Sequence, residues 1–317
     1  MAKIYTSMGL MSGTSLDGID VSIIKSDGER EYSSILDRYF EYDRELIQKL
    51  LKIRDKIGNS DDLLKYFKEL RDLEREITLF HVKAVDETIS IFDSDIDLIG
   101  FHGQTIFHDS KKKISKQLGD GKLLSQLTKK KVVYNFRQND LKNGGQGAPL
   151  APIFHNALAN KMNKKFDLDF PINILNIGGI SNITSTVRWE ELWHTNKIYA
   201  YDIGPGNCLI DEWIRKNSKN NYDNKGSIAR SGKVDKLILN QALENFNHNS
   251  RYEKSLDVND FDIFFAKGLS LENGAATITD FTAKIISDGI NYIHGKNQTW
   301  NNKWLVCGGG RKNEYLL

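Results

Sequence analysis

One arrangement occurs twice in this chain, and it limits the folds open to it. Lys3 to Leu10 is apolar and β-prone, the residues from Ser12 to Gly18 form a tight Gly/Ser/Thr turn, and a strand leaves it with Ile19, Val21 and Ile23 alternating with Asp20 and Ser22. Much later, Ile172 to Ile177 reads as a strand, Gly178-Gly179-Ile180-Ser181-Asn182 as a glycine turn, and Ile183 to Val187 as a departing strand. Lys197 to Tyr201 reads as a third strand ending at Asp202-Ile203-Gly204-Pro205-Gly206-Asn207, and Trp304 to Val306 leads into Gly308-Gly309-Gly310. Each half therefore opens with strand, glycine turn, strand, the pattern of a duplicated α/β unit. A chain of 317 residues has the length of two domains.

Between these landmarks, Tyr32 to Tyr42 is a candidate third strand. Asp43 is placed to cap a helix with Leu46, Leu50, Ile53 and Ile57 on one stripe. Ser60 is placed to cap a much longer helix with Leu63, Phe67, Leu70, Leu73, Ile77, Phe80 and Val85 near one face. Ile96 to Phe101 reads as a buried strand running into His102-Gly103-Gln104-Thr105, and Val132 to Phe136 as another strand. The glycine-rich stretch Asn143 to Ala148 then leads to a helix with Pro149 near its first turn.

Charge and cysteine content exclude several function classes. The net charge of +2 creates no strong field, and the runs Lys111-Lys112-Lys113 and Lys129-Lys130-Lys131 are short enough to be solvated surface, so neither nucleic acid nor an anionic membrane is an expected partner. Cys208 and Cys307 are too few and too distant for a disulfide framework or a cysteine-based metal site, which fits a reducing compartment. With no leader-like segment and no apolar run of membrane-spanning length, the expected location is the cytoplasm.

The glycine loops carry the candidate chemistry. In the first, Thr6, Ser7, Ser12, Thr14 and Ser15 supply hydroxyls, while Gly13 and Gly18 allow a ligand close to the backbone amides, as a phosphate cradle requires. Asp17 and Asp20 would repel bare phosphate, which implies a bridging cation such as Mg²⁺. The same residues also suit a plain hairpin turn, and the spacing matches neither a Walker loop nor a dinucleotide fingerprint. Asp202, at the end of a β-prone run and before Gly-Pro-Gly, is either a general base or a turn and cap residue. Gly308-Gly309-Gly310 admits a flat ring such as adenine or serves as a joint. His102, Gln104 and His108 belong to a site or to the structure alone. Arg137, Lys142 and the amides of Gln138 to Gln146 suit either a polar sugar or an exposed loop.

In combination these segments resemble the anhydro-N-acetylmuramic acid kinase family. The matching pieces are Gly9 to Asp20, His102-Gly103-Gln104-Thr105, Phe136-Arg137, Gly144 to Leu150, Asn176 to Thr184, Asp202 to Asn207, Lys254-Ser255, Asn273-Gly274-Ala275-Ala276-Thr277, and Cys307 to Gly310 with Asn313. The resemblance implies an α/β fold of two RNase H-like domains, as in sugar kinases, actin and heat-shock ATPases, around an ATP cleft. The domains are expected at residues 1–137 and 138–317. ATP would be bound by Gly13, Thr14, Ser15, Leu16, Asp17, Gly18, Ile19 and Asp20, by Gly178 and Gly179, by Gly204 and Gly206, and by the adenosine loop Gly308, Gly309 and Gly310. Asp202 matches the catalytic base, and Ser12, His102, Gln104 and Arg137 join it on the sugar side; the direct ligands of Mg²⁺ stay open. The implied reaction converts 1,6-anhydro-N-acetylmuramic acid, water and ATP to N-acetylmuramic acid 6-phosphate in cell-wall recycling, in a cytoplasmic homodimer. The family pattern continues past the triple glycine with further helices, so a chain ending at Leu317 reads as truncated or as a reduced relative, with apolar surface left for a partner to cover. Two other functions share these motifs: a kinase for another amino sugar, and a non-catalytic ATP-binding regulator.

Overall fold

A computed structural model describes residues 3–13, 16–195, 198–246, 255–297 and 303–317. The chain divides into two compact units, Met1–Ala148 and Pro149–Leu317.

The first unit is built on a six-stranded sheet. β1 (Tyr5–Ser12), β2 (Gly18–Ser26) and β3 (Tyr32–Glu41) form an antiparallel meander. After helices α1 (Arg44–Lys56), α2 (Ser60–Lys65) and α3 (Phe67–Ile89), β4 (Leu98–Asp109) returns parallel to β1. β5 (Ile114–Leu118) pairs with the far end of β4, and after α4 (Gly121–Thr128), β6 (Val132–Tyr134) pairs in parallel with its near end. α5 (Phe136–Lys142) closes the unit. The alternation read in β2 holds, since Ile19, Val21 and Ile23 are all buried. They pack with Met8, Leu10, Ile99 and Phe101 against the expected α1 stripe of Leu46, Leu50, Ile53 and Ile57. Burying each such side chain contributes about 1.5–3 kcal/mol.

Local chemistry corrects several expectations here. Asp43 does cap α1, accepting the Leu46 N–H at 2.8 Å. The single helix expected from Ser60 is instead two, because Tyr66 leaves helical geometry between them, and the first is capped by Asn59, in a capping box with Asp62, rather than by Ser60. The stripe is broken with it: Leu70, Leu73, Ile77 and Val85 are buried while Phe67 is 60% exposed. The division between units also falls later than 137/138. Residue 137 lies inside α5, whose Leu141 is buried and whose Asp140 Oδ2 accepts the Gly147 N–H at 2.7 Å, so residues 138–148 stay with the first unit.

The second unit repeats the topology. α6 (Pro152–Phe166) begins at Pro152 rather than near Pro149. β7 (Asn173–Ile177), β8 (Ile180–Ser185) and β9 (Tyr199–Pro205) form the meander, with α7 (Trp189–Thr195) between the last two. α8 (Cys208–Asn217), α9 (Ser227–Ser231), α10 (Lys236–Asn245) and α11 (Leu271–Asn297) follow, and β10 (Trp304–Cys307) pairs in parallel with β7. In both sheets the third, second and first strands of the meander are followed by a parallel fourth strand, the order of an RNase H-like half. Leu175, Ile177, Ile183 and Ile203 form a core with Ile286 and Ile293 of α11, while Trp213 and Ile214 of α8 pack with Ala275, Ile278 and Phe281 on the same long helix. Among the described residues no helix is long and apolar enough to cross a membrane.

The Asn273 to Thr277 motif has a packing role. Asn273 Oδ1 accepts the Lys233 N–H at 2.9 Å and Thr277 Oγ1 the Asp235 N–H at 3.0 Å, tying that loop to α11. Between them, a Cβ on Gly274 would fall inside the Trp213 indole, whose Nε1–H donates to the Leu271 carbonyl at 2.9 Å. Gly274→Val is expected to lower stability by about 1–3 kcal/mol through overpacking. A urea denaturation midpoint equal to that of the wild type would contradict this packing.

Candidate active site

In the first unit, the turn between β1 and β2 is held by polar clamps from three other elements. The Gly13 carbonyl accepts the Leu16 N–H at 3.3 Å and the Gln104 Nε2–H at 2.8 Å, the latter from a fully buried side chain on β4. The Asp17 carbonyl accepts the Tyr42 N–H at 2.9 Å. Ser12, 1% exposed at the end of β1, engages the Tyr42 hydroxyl at 3.0 Å and His81 Nε2 of α3 at 3.1 Å. Leu16 adopts a positive φ of 60°, a costly conformation for a branched residue, and its side chain is buried. Leu16 and Ile19, both expected near ATP, point into the core, so only their backbone could reach a ligand. Gly18 is needed for packing, because a Cβ there would strike the Phe40 carbonyl and the Tyr39 ring. The Asp17 and Asp20 side chains are exposed. Burial and these two carboxylates, with Glu41, push the Tyr39 phenol up from its ordinary range. Thr14 and Ser15 lie outside the described residues.

Two of the residues expected on the sugar side, His102 and Arg137, are in contact. Asn135, at φ 61°, turns the chain into α5 and brings Arg137 to His102, with Arg137 Nε–H donating to His102 Nε2 at 3.0 Å. His102 Nδ1 lies 2.7 Å from the Gly103 carbonyl, which only accepts, so the ring proton sits on Nδ1 and Nε2 is free to accept from Arg137. Burial, and then the Arg137 charge, push the His102 pKa down to about 4, so the ring is neutral at physiological pH. His108 is pushed down to about 4 by the same two causes, and its Nδ1 meets Ser115 Oγ at 3.1 Å. Ser12, expected on the sugar side, instead has its hydroxyl engaged within the core.

In the second unit the three predicted glycine segments converge. The Gly178 carbonyl accepts the Asn207 N–H at 2.7 Å, and the Gly179 carbonyl accepts the N–H groups of Gly206 at 2.8 Å and Cys208 at 3.2 Å. The β7–β8 turn is thereby fastened to the start of α8. A Cβ on Gly206 would strike the Gly178 carbonyl, and one on Gly308 or Gly310 would strike Ile177, so three glycines exist for close backbone approach. Gly309 differs: it is exposed, and its nearest neighbour would be Asn207 Nδ2 at 3.4 Å. Gly204 takes φ 155° and packs on Ile285 of α11.

Asp202 lies within β9 rather than at its end. The β8–β9 register shifts between Ser181 and Asn182, which pair with Gly204 and Asp202, so Ile203 is a bulged extra residue. Bulges re-aim side chains beside functional sites. Asp202 is 6% exposed, and its Oδ2 accepts the Leu256 N–H at 2.8 Å and the Ser255 Oγ–H at 3.3 Å. Ser255 was visible in the sequence only as part of a matching dipeptide whose other member, Lys254, lies outside the described residues. His81 and Tyr42 were missed entirely, although a histidine in the apolar stripe of α3 was a readable signal. Among the described residues no group of three or more His, Cys, Asp or Glu side chains forms a metal site.

Similarity to known proteins accounts for these motifs together. The family model described as anhydro-N-acetylmuramic acid kinase matches residues 5–317. A protein of that name from Pelagibacter ubique (strain HTCC1062) is 52% identical over 320 residues, covering 100% of this chain and 83% of its own length. Another from Agrobacterium fabrum (strain C58 / ATCC 33970) is 37% identical over 327 residues, again covering 100% of this chain and 83% of its own length. Among solved structures, a hexokinase from Schistosoma mansoni complexed with glucose aligns with a TM-score of 0.39 and 10% identity, over 98% of this chain and 76% of that one. A match running from residue 5 to the last, shared with relatives more than a third identical throughout, shows that the chain belongs to the anhydro-N-acetylmuramic acid kinase family.

Proposed function

We propose that this chain is a sugar kinase that uses ATP and water to convert 1,6-anhydro-N-acetylmuramic acid to N-acetylmuramic acid 6-phosphate, opening the anhydro ring as it phosphorylates. The observation that carries the reading is Asp202: a buried carboxylate on a strand bulge, with two donors on one oxygen, beside the fastened glycine turns of its unit. Such an arrangement suits a general base held in one orientation.

In this reading Asp202 takes a proton from water as the water attacks C1. The C1–O6 bond breaks, O6 takes the γ-phosphoryl group, and ADP leaves. The backbone of Gly13 to Asp20 and of Gly178 and Gly179 would hold the phosphates, and the exposed Gly309 leaves room for the adenosine ring. The exposed carboxylates of Asp17 and Asp20 are hard oxygen donors of the type that suits Mg²⁺ accompanying ATP. When bound there, Mg²⁺ neutralises charge on the phosphoryl oxygens. On the sugar side, Arg137, oriented by neutral His102, suits a carboxylate or hydroxyl of the substrate. The two thiols are not disulfide-bonded, which fits the reducing cytoplasm proposed for this protein. A homodimer belongs to the same reading, and light scattering in solution checks it.

A coupled assay for ADP tests the function directly. ADP formation is expected to depend on the anhydro-sugar; slow ADP formation indifferent to sugar would contradict the kinase. Asp202→Asn is expected to lose about 10²–10⁴-fold in turnover while nucleotide affinity survives, and near-normal turnover would remove Asp202 from its role. Because His102 stays neutral well above its pKa of about 4, the KM for sugar is expected to be flat from neutrality down to pH 6. A rise in that KM with an apparent pKa near the ordinary histidine value would contradict the neutral His102–Arg137 contact.

A further inference from the structure

The apolar stripe of α3 runs through Leu70, Leu73, Ile77 and Val85, and His81 takes a place in it with 0% exposure. We propose that His81 is a positioning residue for the first phosphate loop, acting through Ser12 and Tyr42. The inference rests on the reading of Gly13 to Asp20 as the loop that holds ATP.

The hydrogen bonds of this chain of groups have a single consistent direction. His81 Nδ1 lies 2.8 Å from the Ile77 carbonyl, which only accepts, so the ring proton sits on Nδ1. Burial, the largest effect, pushes the His81 pKa down to about 4, so the ring is neutral and Nε2 accepts. The Ser12 hydroxyl therefore donates to His81 Nε2 at 3.1 Å and accepts the Tyr42 O–H at 3.0 Å. The two rings at the ends are themselves fixed, Tyr42 edge-on to Phe80 at 5.0 Å and His81 edge-on to Phe101 at 4.8 Å between centroids.

Tyr42 makes this a loop device and not only a core contact. Its hydroxyl holds Ser12, the last residue before the loop, and its backbone N–H holds the Asp17 carbonyl at 2.9 Å on the loop's other limb. One residue thus spans the loop's entry and exit, and His81 anchors that span to α3. Replacing His81 with an apolar side chain leaves the buried Ser12 hydroxyl without its acceptor, and the hydroxyl must turn away from the geometry that Tyr42 reads.

The test separates positioning from mere packing. His81→Leu is expected to raise the KM for ATP about tenfold, with kcat at saturating ATP within about threefold of wild type and the KM for sugar unchanged. His81→Gln, whose amide oxygen can accept from Ser12, is expected to bring the KM for ATP back to within about twofold of wild type. Ser12→Ala should match His81→Leu, and the double variant should add nothing further, because both remove one shared interaction. If His81→Leu does not fold, Tyr42→Phe carries the test: it keeps the ring against Phe80, removes only the hydroxyl, and should raise the KM for ATP about threefold. A folded His81→Leu or Tyr42→Phe with the wild-type KM for ATP overturns the proposal. A wild-type chain with no affinity for ATP overturns the underlying loop reading, and is recognised before any substitution is made.

Discussion

A carboxylate taken out of water must find its hydrogen bonds in the protein, and Asp202 finds two of them in a segment distant in sequence. Two donors, the Leu256 N–H and the Ser255 hydroxyl, meet one oxygen, Oδ2. They come from a segment more than fifty residues further along the chain, so the acid's orientation is a tertiary property and not a feature of its own strand. The bulge lies next to Asp202: Ile203 is the extra residue between Asp202, which pairs with Asn182, and Gly204, which pairs with Ser181, and it is buried in the core against α11.

The first unit solves a different problem. A glycine-rich turn is favourable for close approach of a ligand but costly to hold in one shape. Here the cost is offset by hydrogen bonds from outside the turn. Gln104 holds one carbonyl and Tyr42 another, while Ser12 is secured between Tyr42 and His81. The second unit fastens its own turn mainly through backbone, by aiming three N–H groups around the start of α8 at the carbonyls of Gly178 and Gly179, with Asn207 Nδ2–H donating to the Ile177 carbonyl at 3.4 Å. Two sheets that share a strand order therefore carry turns fastened from different places, β4 and the end of β3 in one and the start of α8 in the other.

Much of this was legible in the sequence, for identifiable reasons. Strand, turn, strand can be read because alternation and glycine act locally, and the α1 stripe with its Asp43 cap can be read for the same cause. The glycines themselves were legible as positions, but their reasons were not. Gly18, Gly206 and Gly310 are required by backbone and side-chain neighbours distant in sequence, as is Gly274 by Trp213. Asn59 displaced Ser60 as a cap because the reciprocal bond with Asp62 decides between two adjacent candidates. The Tyr42–Ser12–His81 chain was out of reach because its three members come from β1, α3 and the end of β3, and only folding brings them together.

In the proposed reaction Asp202 takes a proton from water that attacks C1 from the side opposite the breaking C1–O6 bond. In a 1,6-anhydro sugar that bridge lies on the β face, so attack from the other side fixes the first product's configuration. Proton NMR in the first moments of turnover, before the anomers equilibrate, reads it directly. The 6-phosphorylated sugar is expected to be released as the α anomer. Initial release of the β anomer, or of a phosphorylated sugar whose anhydro ring is intact, would contradict it.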